Sequence, residues 1–353
     1  MLAGALTGAL VQVPYVAQAA SEPEPAELSE GQEALAAAVE SGERVEVLGQ
    51  RSERTTVYAN PDGFTFTLQE SSIPVRVSKP GGGWQAPDAT LVRHEDGSVG
   101  PKAAAPQILF SGGGEKEPLA SIASQGKSLE LSWPEALPRP VLEGASAVYP
   151  EVLPDVDLKV TATAESFQHV LVVKTPEAAA SEKLKKLTFG LKTTGLDLEE
   201  GATGNLTAVD ANGNTVFRSP PAQMWNSAGK TLSPASSVAK GASRATVDEK
   251  EPSDPAEAAP SGSGLEPGQG DKFTKMDVEV EETSLSIVPD AEMMGEKDAS
   301  VYPLFIDPPV TWGEGGGRPG GGGPQRQETN GATVIRAERS CAEWGGWCEK
   351  QQT

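Results

Sequence analysis

Apolar and polar positions alternate with a period of two along most of this 353-residue chain. From Arg44 onward, Val45 and Val47 alternate with charged residues, and Val57 and Ala59 lead into Asn60-Pro61-Asp62-Gly63. Phe64, Phe66 and Leu68 then alternate with Thr and Gln, so the segment predicts a β-hairpin with its turn residues in place. Ile73, Val75 and Val77 predict a further strand, and Pro80-Gly81-Gly82-Gly83 turns the chain into Trp84. Leu91 and Val92 precede the Asp96-Gly97 turn, and short apolar runs predict strands at 108–110, 129–133, 158–160 and 170–173. Leu187, Phe189 and Leu191 alternate, as do Leu196 and Leu198. Strands at 206–209 and 216–217 flank Asp210-Ala211-Asn212-Gly213-Asn214, a second hairpin.

Two segments carry helical signals instead. Ser29 and Gln32 form a capping box before the Ala-rich run 33–40, and Gly42 supplies the C-terminal cap. The apolar face of this helix is weak, which predicts a solvated leader rather than a core element. Thr175 as N-cap and Pro176 at the first position predict a helix through 178–186 that bridges two strands. The whole pattern predicts a mainly β fold: an antiparallel β-sandwich or barrel-like module with one or two short helices and long disordered segments.

The chain divides by composition. Residues 2–13 are apolar and uncharged, about the length of a secretory h-region and too short for a spanning helix. Pro14 breaks the run, and Ala17-Gln18-Ala19 predicts cleavage between Ala19 and Ala20, although no positively charged segment precedes Leu2. We therefore expect a signal peptide at 1–19, a secreted or cell-surface location, and a mature chain that does not span a membrane. Residues 20–43 read as an acidic leader with its short helix, and 44–227 as the β-rich module. Residues 228–270 hold Ser, Ala, Pro, Gly, Glu and Lys with almost no large apolar side chain, the composition of a disordered linker or surface loop. Strand patterning returns in 271–312, which predicts closing strands that pair back onto the module. The last segment, 313–353, is Gly-rich, has neither period and balances its charges, so it reads as an aberrant or disordered tail from a shifted frame or a broken gene. Cys341 and Cys348 occur there and nowhere else, a candidate disulfide in an exported protein.

Charge and chemistry narrow the function classes. The formal net charge of −21 argues against nucleic acid as a partner, because phosphate binding needs a basic face. Two histidines and two cysteines leave little material for a metal cluster, and no cofactor is expected. Gly126-Lys127-Ser128 has the ending of a phosphate-binding loop, but Ser121 stands where that loop needs Gly and a strand follows instead of a helix. Asp210, Asn212 and Asn214 have the spacing of calcium-loop oxygens, but Thr215 and Pro221 occupy positions that need Gly and Glu, which favours a hairpin turn. Asp155 and Asp157 pose a choice between a carboxylate pair for glycoside hydrolysis and a solvated junction before a strand. His94 and His169 have no nucleophile elbow or Cys nearby. Trp84, Trp133 and Trp225 stand at strand ends, where an indole either stacks on a sugar or closes a core. No catalytic, cofactor-binding or metal-ligating residue is assigned.

A resemblance emerges from spaced signatures. These are Pro74-Val75-Arg76-Val77, Gly82-Gly83-Trp84, Asp88-Ala89-Thr90-Leu91 and Asp96-Gly97-Ser98-Val99. Val152-Leu153-Pro154-Asp155-Val156-Asp157-Leu158, Val170-Leu171-Val172-Val173 and Val301-Tyr302-Pro303-Leu304-Phe305-Ile306-Asp307-Pro308 continue the set. Together they resemble the amino-terminal region of large secreted actinobacterial, Streptomyces-type, multidomain proteins, over residues 30–312. In such proteins LamG-like jelly-roll, DNRLRE-type or RHS-repeat modules follow downstream, and here the chain ends where they begin. The resemblance implies a non-enzymatic structural or presentation module of an extracellular protein, with cell-wall or extracellular polysaccharide as a candidate partner. It carries no catalytic residues. A carbohydrate-binding module is the alternative, and an exported carbohydrate-active hydrolase using Asp155, Asp157 or His169 a further one.

Overall fold

The computed structural model describes residues 28–114, 118–201, 204–229, 266–268 and 270–308, with the backbone of strands at 312–314, 325–329 and 332–340. The predicted signal peptide with Ala19 and Ala20, residues 230–265 of the predicted linker, and Cys341 and Cys348 lie outside the described residues.

Helix α1 (Glu30–Ser41) begins at the predicted capping box, where the Ser29 hydroxyl accepts from the Gln32 amide at 3.4 Å and the Ser29 amide donates to Gln32 Oε1 at 3.0 Å. Gly42 closes it at φ +72°, a left-handed conformation that glycine adopts without steric cost. The helix is not a solvated leader. Ala34, Leu35 and Ala38 pack against β1 (Val45–Glu46), β2 (Thr55–Ala59) and β3 (Thr65–Ser71), where Val47, Val57, Ala59 and Phe66 complete a small core. Alanine contributes little hydrophobicity to a sequence pattern, yet its short side chain lets helix and sheet approach closely, so a weak stripe still buries.

The strand expected over Ile73, Val75 and Val77 shrinks to β4 (Val77–Ser78), paired with β5 (Trp84–Gln85). Ile73 and Val75 are 42% and 45% exposed, and the Val75 amide donates to the Glu53 carbonyl at 2.8 Å in a loop contact rather than a ladder.

The main body is a sandwich of two open antiparallel sheets, so of the two architectures expected from the sequence the barrel-like one does not occur. In chain order it comprises β6 (Asp88–Arg93), β7 (Val99–Ala103), β8 (Gln107–Phe110), β9 (Ala120–Ser124) and β10 (Lys127–Ser132). Then come β11 (Val141–Glu143), β12 (Ser146–Leu153), β13 (Val156–Ala162), β14 (Ser166–Val173), β15 (Leu187–Thr194) and β16 (Asp197–Glu200). The chain continues through β17 (Leu206–Val209), β18 (Thr215–Ser219), β19 (Gln223–Trp225), β20 (Phe273–Lys275), β21 (Asp277–Glu281), β22 (Ser284–Val288) and β23 (Leu304–Asp307). One sheet runs β21-β22-β15-β10-β9-β8-β7-β6. The other runs β11-β12-β13-β14 and continues through β24 (Trp312–Glu314) to β18-β17-β16, with β23, β19 and β20 branching from β14.

Alternate residues of the two sheets meet between them. Leu187, Phe189 and Leu191 of β15 face Phe167, His169 and Leu171 of β14 across one continuous core. An edge-to-face pair crosses it, Phe110 with Phe167 at a centroid distance of 5.7 Å, while Trp133 and Phe189, neighbours in the first sheet, make another at 5.6 Å.

Among the described residues three short α-helices occur, where one or two were expected: α1, α2 (Pro176–Ala179) and α3 (Ala291–Met294). Thr175 caps α2 as predicted, accepting from the Ala178 amide at 3.1 Å, but the helix stops far short of Lys186. Beyond Ala179 only Leu184 is buried, so the Lys-rich remainder lacks an apolar stripe to hold a helix against the sandwich. The closing strands do not form one sheet. β22 extends the first sheet, with Leu187 opposite Ile287 and Phe189 opposite Leu285, while β23 lies between β14 and β19 in the second. Within 313–353, where the sequence predicts no regular element, β25 (Gln325–Thr329) pairs with β26 (Ala332–Ser340), and β26 pairs with β3. Ladder bonds are made by the main chain, so a strand can form without side-chain periodicity. Among the described residues no helix is long and apolar enough to cross a membrane.

Candidate functional site

A cleft of about 660 Å³ lies where the α1 lobe meets the sandwich. Four separated segments line it: the loop 51–54 before β2, Trp84 of β5, Ala105 after β7, and the end of β9 with its turn, 123–125. Ala105 and Ala123 contribute only methyl groups, so the chemistry rests on Arg51, Ser52, Glu53, Arg54, Trp84, Ser124 and Gln125.

The loop 51–54 is fixed before any ligand arrives. Arg51 makes a two-pronged ion pair with Glu46, both bonds 2.6 Å, and this pair, with weaker help from Arg76, holds the Glu46 carboxyl below its usual range. Arg76 donates to the carbonyls of Ser52 at 2.9 Å and Thr55 at 2.7 Å, and to Thr56 Oγ1 at 2.7 Å. The Ser52 hydroxyl accepts from the Thr55 amide at 3.0 Å. Arg54 pairs with Glu165 in the β13–β14 turn and donates to the Ser72 carbonyl, which ties the small lobe to the sandwich.

Trp84 is presented by a turn that only glycine can build cheaply. Gly81, Gly82 and Gly83 have φ of +89°, +103° and +82°, and the Lys79 amide donates to the Gly83 carbonyl at 2.9 Å. Buried Val77 anchors the other strand of the ribbon. Across the cleft, Gln125 and Gly126 form the two-residue turn between β9 and β10, with φ of +51° and +77°. Asn or Gly is the usual first residue of such a turn, and a side chain larger than these in the left-handed region costs roughly 1–2 kcal/mol. Gln125 accepts that cost and lines the cleft.

The residues singled out from the sequence fall elsewhere, Trp84 excepted. Asp155 occupies the Pro154-Asp155 turn at φ +57°, and its carboxylate accepts from the Thr175 hydroxyl at 3.4 Å. Asp157 accepts from the Glu151 amide at 2.9 Å and pairs with Lys174 at 2.7 Å, and Lys174 also reaches Glu151 at 2.6 Å. The two aspartates thus serve a turn and an ion-pair cluster that the sequence did not reveal. Asp210 accepts from the amides of Asn212 and Asn214, both at 2.9 Å, and pairs with Lys127, so the loop is a hydrogen-bonded turn with its carboxylate turned toward its own chain. His94 is exposed in the β6–β7 turn, and His169 is buried against the Phe189 ring at 5.2 Å. Trp133 and Trp225 are buried as core residues, whereas half-buried Trp84 is the one of the three at the cleft.

One buried carboxylate was not a candidate site residue in the sequence. Asp307, 3% exposed, lies on the outer face of the second sheet near the stacked rings of Trp225 and Phe305, whose centroids are 5.4 Å apart. Gln168 Nε2 donates to its Oδ2 at 2.9 Å, and among the described residues Oδ1 has no hydrogen-bond partner. Burial pushes its pKa up to about 7, against the opposing hydrogen bonds of Gln168 and Gln223 and with the Glu266 charge adding to the rise. Comparison with protein-family models, with curated proteins and with solved structures returned no match for this chain.

Proposed function

We propose that the chain is a non-enzymatic β-rich module of a secreted or cell-surface protein, a structural and presentation region for further modules such as LamG-like or RHS-type domains. The observation that carries this reading is the employment of the chemically capable side chains. Asp155, Asp157 and Asp210 each hold a turn or an ion pair that shapes the sandwich, and His169 packs in its core. Such groups act as scaffold rather than as a converging acid, base or nucleophile. The test is a panel of polysaccharide, ester and peptide substrates presented to the purified chain. Turnover that disappears in Asp157→Asn or His169→Gln variants of unchanged Tm would overturn the reading.

A second reading is favoured by the cleft: the module also binds carbohydrate. Trp84 at a preorganised polar cleft has the combination of an aromatic surface and convergent hydrogen-bonding groups that ligand sites use. Retention of the chain on immobilised polysaccharide tests it.

A further inference from the structure

The cleft charges decide which carbohydrate fits, an inference that rests on the carbohydrate-binding reading. Each arginine of the lining is already in an ion pair: Arg51 shares Glu46 with Arg76, and Arg54 has Glu165. Their planar N–H groups are held in place, but their positive charge is compensated. Glu53 adds a negative charge to the same lining, and the chain as a whole carries −21. A polyanionic glycan approaching this surface meets long-range repulsion, and among the described residues the arginines that line the cleft are already engaged by carboxylates.

The remaining lining suits a neutral polyol. Trp84 offers a surface for the apolar C–H face of a pyranose ring, and the Ala105 and Ala123 methyl groups leave room beside it. Gln125 stands on the opposite segment, where its amide can exchange hydrogen bonds with sugar hydroxyls. Gln125 carries the further argument: it keeps a long amide side chain at a left-handed position where glycine would be unstrained, and that side chain lines the cleft. We propose that this cleft binds a neutral polysaccharide, with Trp84 as the stacking surface and Gln125 as the residue that reads the sugar hydroxyls.

The test is affinity electrophoresis and calorimetry of the full chain with neutral polymers (barley β-glucan, xyloglucan, glucomannan) and an acidic one, polygalacturonate. At least one neutral polymer should bind, Trp84→Ala should weaken binding about tenfold or more, and Trp84→Phe should restore part of it. Gln125→Gly should weaken binding severalfold while Tm stays level or rises, which separates a binding role from a structural one. Binding of polygalacturonate alone overturns neutral selectivity and leaves the carbohydrate reading intact. Neutral binding that survives Trp84→Ala moves the site away from this cleft and overturns the assignment. Absence of binding to every polymer overturns both.

Discussion

Lys127 Nζ lies 3.0 Å from Asp210 Oδ2, which joins the first residue of β10 in one sheet to the β17–β18 turn in the other. Lys127 first, and then the amides of Asn214 and Asn212, hold the Asp210 carboxyl well below the usual range. The pair is a clamp between sheets at one end of the sandwich.

Breaking this clamp should loosen that end. Lys127→Ala should lower Tm by about 2 °C, and Asp210→Ala by more, because it also removes both turn hydrogen bonds. A depressed folded pKa stabilises above the unfolded value near 3.9 and loses that contribution as pH falls through the folded value. The Tm difference between wild type and Lys127→Ala should therefore persist at pH 5 and shrink only in strong acid. Thermal melts across this range check both statements.

Asp307 should act in the opposite sense. Its folded pKa, raised from 3.8 to about 7, means that the folded chain holds a proton the unfolded chain has released between those values. Stability is full below about pH 4, falls as pH rises toward 7, and is flat above, with a loss of at most about 4 kcal/mol. Asp307→Asn should remove this slope: little change at pH 4, and a higher Tm than wild type at pH 8. An unchanged slope in the variant would mean that the carboxylate is solvated.

Phe189 is fully buried between Trp133 and His169. Phe189→Ala should cost about 3–5 kcal/mol by leaving a cavity under both rings, whereas Phe189→Leu should cost less than about 2 kcal/mol. Urea denaturation with an unchanged m-value would confirm that the loss is one of stability.

The α1 lobe has its own small core, so damage there should stay local. Ser29→Ala removes one half of the capping box and should cost about 1 kcal/mol. Amide hydrogen exchange should then quicken about fivefold over 30–41 while β14 and β15 keep their protection.

Where an element is set by its own residue types, the pattern disclosed the structure. Leu187, Phe189 and Leu191 alternate and are buried, and Asp210 to Asn214 turn as their residue types require. Ala38 shows the first kind of miss: fully buried, yet too small to signal an apolar face. Ile73 and Val75 show the second, since their alternation is real but no neighbouring strand accepts their backbone. The cleft shows the third. Trp84 was visible as a candidate, but Arg51, Arg54 and Gln125 come from segments whose meeting depends on lobe packing, which no local pattern encodes. Asp307 stands in a stretch that carries the resemblance, but nothing local marks it as buried, because its burial is imposed by strands more than 80 residues earlier in sequence.

The placement of β23 between β14 and β19 also sets an order of events in time. Until residues 304–307 are available, the Leu171 to Val173 edge of β14 has no neighbour, and β15 likewise waits for residues 284–287. Neither sheet can reach its final width from the first 227 residues. A ribosome-bound chain that has not yet delivered its later strands therefore carries two unfinished sheet edges, and completion of the sandwich is gated by the arrival of residues 284–307 rather than paced along the strands before them.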